Sequence, residues 1–398
     1  MKIACITSMY PTIDFPNGGV FVTKRLEALL KTDIEFDAYA VQINDDTLFV
    51  RLMKKIFKKK LVKYYNTRWI NAPDSKVKYI IIDIKYGIVD IILDRLSNYE
   101  HQVRRIEREI IRNLKLKEYD IMHIHWAFPL GTAAVRVSDK YKIPAMLTCH
   151  GSDINILMRN KRYRNTICNT LNSANVVEFV SKKLMNTAIK YGYKGENCYV
   201  NPNGIEDTFS TYSQSNKSES MQIVGFVGNL IPIKRADKLP LIINEIDREY
   251  CDGAIEFWII GDGELYDYLV ESLGKMSNVK FWGRLSHKDV LERMKQMSVL
   301  MLPSRNEGWP CVVMEAFSQG TPVVGSNNGG IPEAIDNLDL VVDDGESFER
   351  RFAHKVCDVL CKKVQIDSRD LIAKSSNFKW DTLALKTIAN YRAIENEK

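Results

Sequence analysis

Residues 302–335 read LPSRNEGWPCVVMEAFSQGTPVVGSNNGGIPEAI. An apolar run ends at Leu302, a polar loop follows, and a helical run starts near Pro310 and ends near Gly320. A second apolar run at 322–324 leads into a Gly-rich turn. Strand, loop, helix and strand in this order are the repeat of a parallel sheet with helices packed on its faces. Pro310 suits the first helical position, where its missing N–H is no loss. The N–H groups of Cys311, Val312 and Val313 then leave the helix start unpaired and form an anion site. Glu307 stands in the loop and Glu315 within the helix, eight positions on, so both reach one ligand from different heights. Carboxylates accept hydrogen bonds from vicinal hydroxyls, as sugars and ribose present them. Two acids at this spacing would otherwise read as solvated surface charges. The strand before them and the GTPVV and NGG turns after them make the pattern specific.

Working outward, residues 225–235 read GFVGNLIPIKR. An apolar strand opens into a loop that ends in the basic pair Lys234 and Arg235. A lysine in a loop is ordinarily solvated, but one that follows the first strand of a domain can meet a diphosphate as a point charge. PNGG at 16–19 lies between the first strand and the first helix, so Gly18 and Gly19 fit a phosphate-approach loop. Gly329 and Gly330 likewise allow close backbone approach, or simply make a tight turn. None of these is a G-x-G-x-x-G fingerprint, GDG at 261–263 also fails it, and no G-x-x-x-x-G-K-[ST] occurs. Hydride chemistry on NAD and P-loop nucleotide hydrolysis lose their usual support.

The alternation extends along the chain. Strands are expected at 3–7, 36–41, 121–125, 145–148, 176–180 and 198–201, then at 223–228, 255–260, 279–282, 299–302, 322–324 and 340–342. Helical periods lie between them, as at 21–31, 99–116, 288–295 and 348–362. The polar, Ser-rich, aperiodic stretch 207–221 reads as a linker. The expected architecture is α/β, two doubly wound Rossmann-like domains whose ligands sit beyond the carboxyl ends of the strands. The chain is 398 residues long, 45% apolar and 27% charged, which suits two domains with cores and excludes a disordered or fibrous class. No window holds 18 uninterrupted apolar residues; the best, 79–93, is broken by Asp83, Lys85 and Asp90. The amino terminus shows no long apolar leader. The eight cysteines are scattered without a C-x-x-C pair and read as reduced thiols.

Charge is unevenly divided: residues 1–200 carry +13 and the remainder −7. The first half therefore faces something anionic. Its richest segment is RLMKKIFKKKLVKYYNTR at 51–68. Met53, Ile56, Phe57, Leu61 and Tyr64 form a helical stripe, with Lys54, Lys55, Lys58, Lys59, Lys60 and Lys63 around it. Such a helix rests on an anionic bilayer at about 1 kcal/mol per basic residue. The competing readings are a domain helix with solvated lysines and a nucleic-acid patch, and no nucleic-acid motif accompanies it. CHGSD at 149–153 puts His150 in a carboxyl-end loop, where it can bond a hydroxyl or a reacting group, or merely hold its own backbone. His123 and His125 share one strand face. Without a third ligand nearby they read as packing rather than a metal pair.

These residues together resemble the retaining glycosyltransferases of family 4, which have the two-domain GT-B fold. PSRNEGWPCVVMEAFSQGTPVV…NNGG carries most of the resemblance. PNGGVF, IHWAFPLG, LTCHGSDIN, NPNGIE, GFVGNL…K, IIGDGE and FWGRLSHKDV follow the family's order across nearly the whole chain. IHWAFPLG and HGSDIN look particularly like bacterial enzymes that build teichuronic acid, capsule or O-antigen chains. The resemblance implies an acceptor- and membrane-side domain at 1–206, a nucleotide-sugar domain at 207–375 and a final helix at 376–398 that crosses back to the first. It implies that Glu307 and the backbone of Gly308 and Trp309 hold the donor sugar, that the amides of Cys311 and Val312 bind the diphosphate, and that Glu315 takes the ribose hydroxyls. Lys234, with Arg235, neutralises the leaving diphosphate, Gly18 and Gly19 approach it, His150 contacts the sugar, and Arg284 lies by the base. His150, Lys234 and Glu307 are the catalytic candidates.

The implied reaction moves a hexosyl group from a nucleoside-diphosphate sugar, a UDP-sugar favoured, to a saccharide or polyprenyl-diphosphate-linked acceptor. It retains anomeric configuration and needs neither metal nor cofactor, at the cytoplasmic face of the membrane. The chain departs from the family pattern at Asn229, where Arg is frequent, at Pro310, a common Gly position, and at Glu206, where Asp is usual. A sugar-nucleotide 2-epimerase shares the architecture, and a non-catalytic membrane-surface binding protein is the reading outside enzymes.

Overall fold

The computed structural model describes residues 1–12, 18–44, 76–206 and 221–396. The basic stretch with Lys54, Lys55, Lys58, Lys59, Lys60 and Lys63 and nearly all of the expected linker lie outside them. The chain divides into two compact units, Met1–Asn203 with Trp380–Lys398, and Gly204–Lys379.

Among the described residues the first unit holds a seven-stranded parallel sheet in the order β3-β2-β1-β4-β5-β6-β7. Its strands are β1 Lys2–Thr7, β2 Glu35–Asn44, β3 Tyr79–Lys85, β4 Ile121–His125, β5 Ala145–Cys149, β6 Val176–Phe179 and β7 Cys198–Val200. Every residue of β4 and β5 is buried, as expected of strands covered on both faces. The apolar window 79–93 is not one element. It breaks into β3 and the helix Ile88–Leu96, because Gly87 caps that helix and its N–H bonds the Asp90 carboxylate at 2.8 Å. Asp90 thus helps to divide the window, whereas Asp83 lies within β3. Val89, Ile92, Leu93 and Leu96 of this helix form an exposed apolar stripe.

The last helix, Trp380–Asn396, packs in the first unit. Trp380, Ala384, Ile388, Tyr391 and Ile394 recur at helical spacing and share a core with Ile3, Leu26 and Leu29. Beneath that core Arg25 and Glu178 form a fully buried ion pair. Glu178 also accepts from Thr148 Oγ1 at 3.2 Å and from Asn201 Nδ2 at 2.9 Å, so the buried carboxylate is well satisfied.

The second unit is a six-stranded parallel sheet in the order β10-β9-β8-β11-β12-β13. Its strands are β8 Met221–Val227, β9 Ala254–Ile260, β10 Val279–Gly283, β11 Val299–Leu302, β12 Val323–Ser326 and β13 Val341–Val342. In both sheets the order reverses beside the first strand, between β1 and β4 and between β8 and β11. Ligands of such sheets bind outside the carboxyl ends at that reversal. Among the described residues no helix is long and apolar enough to cross a membrane, and all eight cysteines are free thiols.

Candidate active site

In the second unit the reversal point is flanked by the loops after β8 and β11. Val224 and Phe226 pair with Val299 and Met301 across it, so both strands end at the same level. The loop after β8 carries Lys234 and the loop after β11 carries Glu307. Lys234 Nζ meets Glu307 Oε1 at 2.6 Å, with the glutamate mostly buried. Arg305 ties the two loops together. Its guanidinium takes both oxygens of Asp237 at 2.6 and 2.8 Å, and its N–H bonds the Ile233 carbonyl at 2.8 Å. The ion pair holds the Asp237 carboxyl below its usual range. Sequence reading passed over Arg305, although a basic residue two positions before Glu307 was the available signal.

The helix after Glu307 is Cys311–Ser318. Pro310 is its N-cap, with φ −84° and ψ 90°, rather than its first helical residue. The expected set of three free amides is also corrected, because the Val313 N–H turns back to the Pro310 carbonyl at 3.0 Å. The amides of Cys311 and Val312 remain directed out of the helix start. Burial pushes the Cys311 thiol far up, and Glu315 and Glu307 push it the same way while Lys234 opposes them.

Glu315 has a partner the sequence did not suggest. His287 Nε2 lies 3.2 Å from Glu315 Oε1, and its Nδ1 lies 3.7 Å from Glu206 Oε2. The carboxylates of Glu206 and Glu315 beside it raise the imidazole to about 10, so it is a cation between two acids. Glu206, which stands where the family usually has Asp, thereby reaches the site through His287.

The structure places the other expected residues of this unit as follows. Arg235 does not join Lys234. It takes a left-handed conformation, φ 56°, and turns inward, paired with Asp344 Oδ1 at 2.6 Å and stacked 3.8 Å over Phe348. The ring of Trp309 is buried against Phe378 at 5.3 Å, so only its backbone, with that of the half-buried Gly308, faces the loop. Arg284 is exposed after β10, at the edge of the sheet and two strands from the reversal. Gly329, φ 57°, serves the site from below: a Cβ there would lie 2.0 Å from the Glu307 carbonyl oxygen, and the Gly330 N–H bonds that same oxygen at 2.9 Å. The Gly-rich turn therefore approaches the Glu307 loop.

In the first unit, the loops after β1, β4 and β5 carry Gly18 and Gly19, Trp126 and His150. Gly19, φ 58°, caps the helix Val20–Leu29, and a Cβ there would lie 2.4 Å from the Met9 carbonyl oxygen. The half-buried His150 ring lies between Phe21, at 4.6 Å, and Trp126, at 4.7 Å. Its Nε2 bonds His125 Nδ1 at 2.9 Å. His123 and His125 do share a face, with ring centroids 4.4 Å apart, and both are fully buried. Burial holds all three imidazoles well below the usual histidine range, hence neutral.

Two such parallel sheets, each with its loops gathered at the reversal point, define a GT-B glycosyltransferase fold. Two family models match the chain: "Glycosyltransferase Family 4" over residues 83–209 and "Glycosyl transferases group 1" over residues 221–362. The chain belongs to these glycosyltransferases and is a transferase. It is 27% identical over 343 residues to TuaC of Bacillus subtilis, named for glycosyl transfer in teichuronic acid biosynthesis, covering 83% of this chain and 82% of that one. Its fold matches the lipopolysaccharide outer core galactosyltransferase WaaB, with TM-score 0.69, 17% identity and 99% of each chain covered. It also matches Anabaena Alr3699/HepE in complex with UDP-glucose, with TM-score 0.62, 16% identity and coverage of 100% and 99%.

Proposed function

We propose that this chain is a retaining hexosyltransferase that takes its sugar from a nucleoside diphosphate, UDP favoured, and adds it to a saccharide or lipid-linked acceptor during assembly of a bacterial surface polysaccharide. The observation that carries this reading is the Lys234–Glu307 pair, set at the reversal point beside the amides of Cys311 and Val312. Breaking the anomeric bond develops negative charge on the diphosphate and positive charge on the sugar ring. The helix start and Lys234 sit where the first charge forms, in a partly buried site that strengthens them. Glu307 gives one oxygen to Lys234, which leaves the other for a sugar hydroxyl. Glu315, oriented by His287, accepts from the ribose. His150 is the further residue proposed to contact the sugar. No carboxylate is assigned as nucleophile; the acceptor attacks from the face the diphosphate leaves, and a diphosphate oxygen takes its proton.

The likeness to a fold solved with UDP-glucose supports the donor class, and the likeness to TuaC supports a surface polysaccharide. The reading needs no divalent cation, because lysine and helix amides supply the positive charge. Contact with an anionic bilayer is part of the proposal, supported by the exposed stripe of Val89, Ile92, Leu93 and Leu96 and by the +13 balance of residues 1–200. The test is transfer from a panel of UDP- and GDP-sugars in EDTA, with NMR of the product anomer. A retained anomer with EDTA present is expected. An inverted product, or strict dependence on Mg²⁺ or Mn²⁺, would overturn it.

A further inference from the structure

The helix Ile88–Leu96 is turned inside out. A helix on a protein surface ordinarily points its apolar stripe at the core and its charges at water. Here Val89, Ile92, Leu93 and Leu96 share one face at helical spacing, and all four are exposed. Val89 and Leu96 keep 68% and 78% of their surface open. Asp90 and Asp94 lie on the opposite face, and it is this face that packs inward: Asp94 is 4% exposed.

Both acids are held there by specific partners. Asp90 accepts from the Gly87 N–H at 2.8 Å, bonds His101 Nε2 at 2.8 Å and accepts from Arg105 Nη1 at 3.3 Å. Asp94 accepts from the Tyr86 hydroxyl at 3.0 Å, and that ring is itself buried. A carboxylate turned inward without such partners would be strongly destabilising. With them the inverted orientation is stable, and a half-turn of the helix that buried its apolar stripe would break these bonds.

A single exposed leucine is ordinary, but four contiguous apolar side chains form a patch that marks a contact with a partner. The surroundings of the stripe define that partner. Arg95 is exposed on the helix itself, and Arg159, Lys161 and Arg162 are exposed in the segment that meets its carboxyl end. There the Arg162 guanidinium bonds the Arg95 carbonyl and, at 2.6 Å, Asn98 Oδ1. The acids of the helix point away from this surface. An apolar stripe rimmed by basic side chains complements an anionic bilayer, hydrocarbon against the stripe and phosphate against the rim. A second copy of the chain fits less well, since four side chains on a nine-residue helix fall far short of the ~800 Å² per partner in a stable interface.

We propose that the helix Ile88–Leu96 is an interfacial anchor: it lies in the plane of an anionic bilayer, with its apolar stripe among the acyl chains and Arg95 and Arg162 at the headgroup phosphates. This rests on the bilayer contact proposed above, and adds the element that enters the lipid and the two inward aspartates that present it.

The experiment sediments the full chain with vesicles of phosphatidylcholine and phosphatidylglycerol in equal parts, and with vesicles of phosphatidylcholine alone. Binding to the anionic vesicles should be stronger by about 10-fold or more. The double substitution Val89→Ser with Leu96→Ser, at two open positions, should weaken that binding about 10- to 100-fold at an unchanged melting temperature. Val89→Leu with Leu96→Ile should keep it within about 3-fold. Amide hydrogen exchange of residues 88–96 in the wild type should slow when anionic vesicles are added, a readout that needs no variant. A wild type that binds neither vesicle overturns the bilayer reading and the anchor together. Binding that survives the double serine change, or exchange at 88–96 that the vesicles leave as it was, overturns the anchor alone and leaves bilayer contact to another part of the chain. Equal binding to both vesicles removes the basic rim from the contact and overturns the proposal as stated. A dimer in solution that the double serine change dissociates assigns the stripe to a second copy and overturns it too.

Discussion

Lys234 and Glu307 stand 73 positions apart in the chain and close to 2.6 Å in the fold. At a site where charge develops, removing one such group costs about 100-fold or more in kcat/KM, roughly 3 kcal/mol. Lys234→Ala and Glu307→Ala should each show that loss with normal melting temperatures; near-normal rates with the right donor would remove both from the chemistry. His287 makes a separate prediction about pH. Its folded value near 10 exceeds the ordinary 6.5. Its stabilising contribution is therefore whole below pH 6.5 and is lost as pH rises from there through 10. The melting temperature of His287→Gln should change less across that window than that of the wild type. Parallel curves would show that the Glu206–His287–Glu315 cluster carries no linked proton.

At the level of elements, the site of the second unit depends on loops that touch backbone to backbone. Gly261, φ 139°, follows β9, and a Cβ there would lie 1.9 Å from the carbonyl oxygen of Gly228, which follows β8. GDG is thus not a dinucleotide fingerprint but the seam between two carboxyl-end loops, with the Leu230 N–H bonded to the Asp262 carbonyl at 3.0 Å. Gly261→Ala should destabilise the fold by about 3 kcal/mol, read by urea unfolding. Gly329→Ala strains the Glu307 carbonyl contact and should lower turnover more than it raises donor KM, because it displaces a group used in the transition state. The helix start itself was legible in the residues, since Pro310 and the apolar run after it mark the boundary. Its cap geometry was not, because Val313 uses one of the amides that a linear reading leaves free.

Across the molecule, the last helix is bound to the first unit by a polar thread as well as by its apolar face. Tyr391 bonds His123, and Thr387 Oγ1 accepts from Asn201 Nδ2 at 3.1 Å. Tyr391→Phe should cost about 1 kcal/mol in a reversible unfolding measurement. Glu178→Gln should cost about 3–5 kcal/mol, because it leaves the Arg25 guanidinium buried without its counter-charge. A loss under 1 kcal/mol for Glu178→Gln would show that water reaches this pair.

The chain by itself determined the alternation of strands and helices, the strand at 299–302, the acids flanking the helix after Trp309 and the lysine expected to face them. Those features are local, since burial on both faces, prolines and glycines write them into adjacent residues. Only the tertiary structure decided that Arg235 turns away while Lys234 does not, that Arg305 clamps the two loops, and that His287, Glu206 and Glu315 form one cluster. It alone showed His125 beneath His150. Each of these depends on which strands become neighbours in a sheet, and contacts between residues tens of positions apart leave no periodic mark in a single sequence.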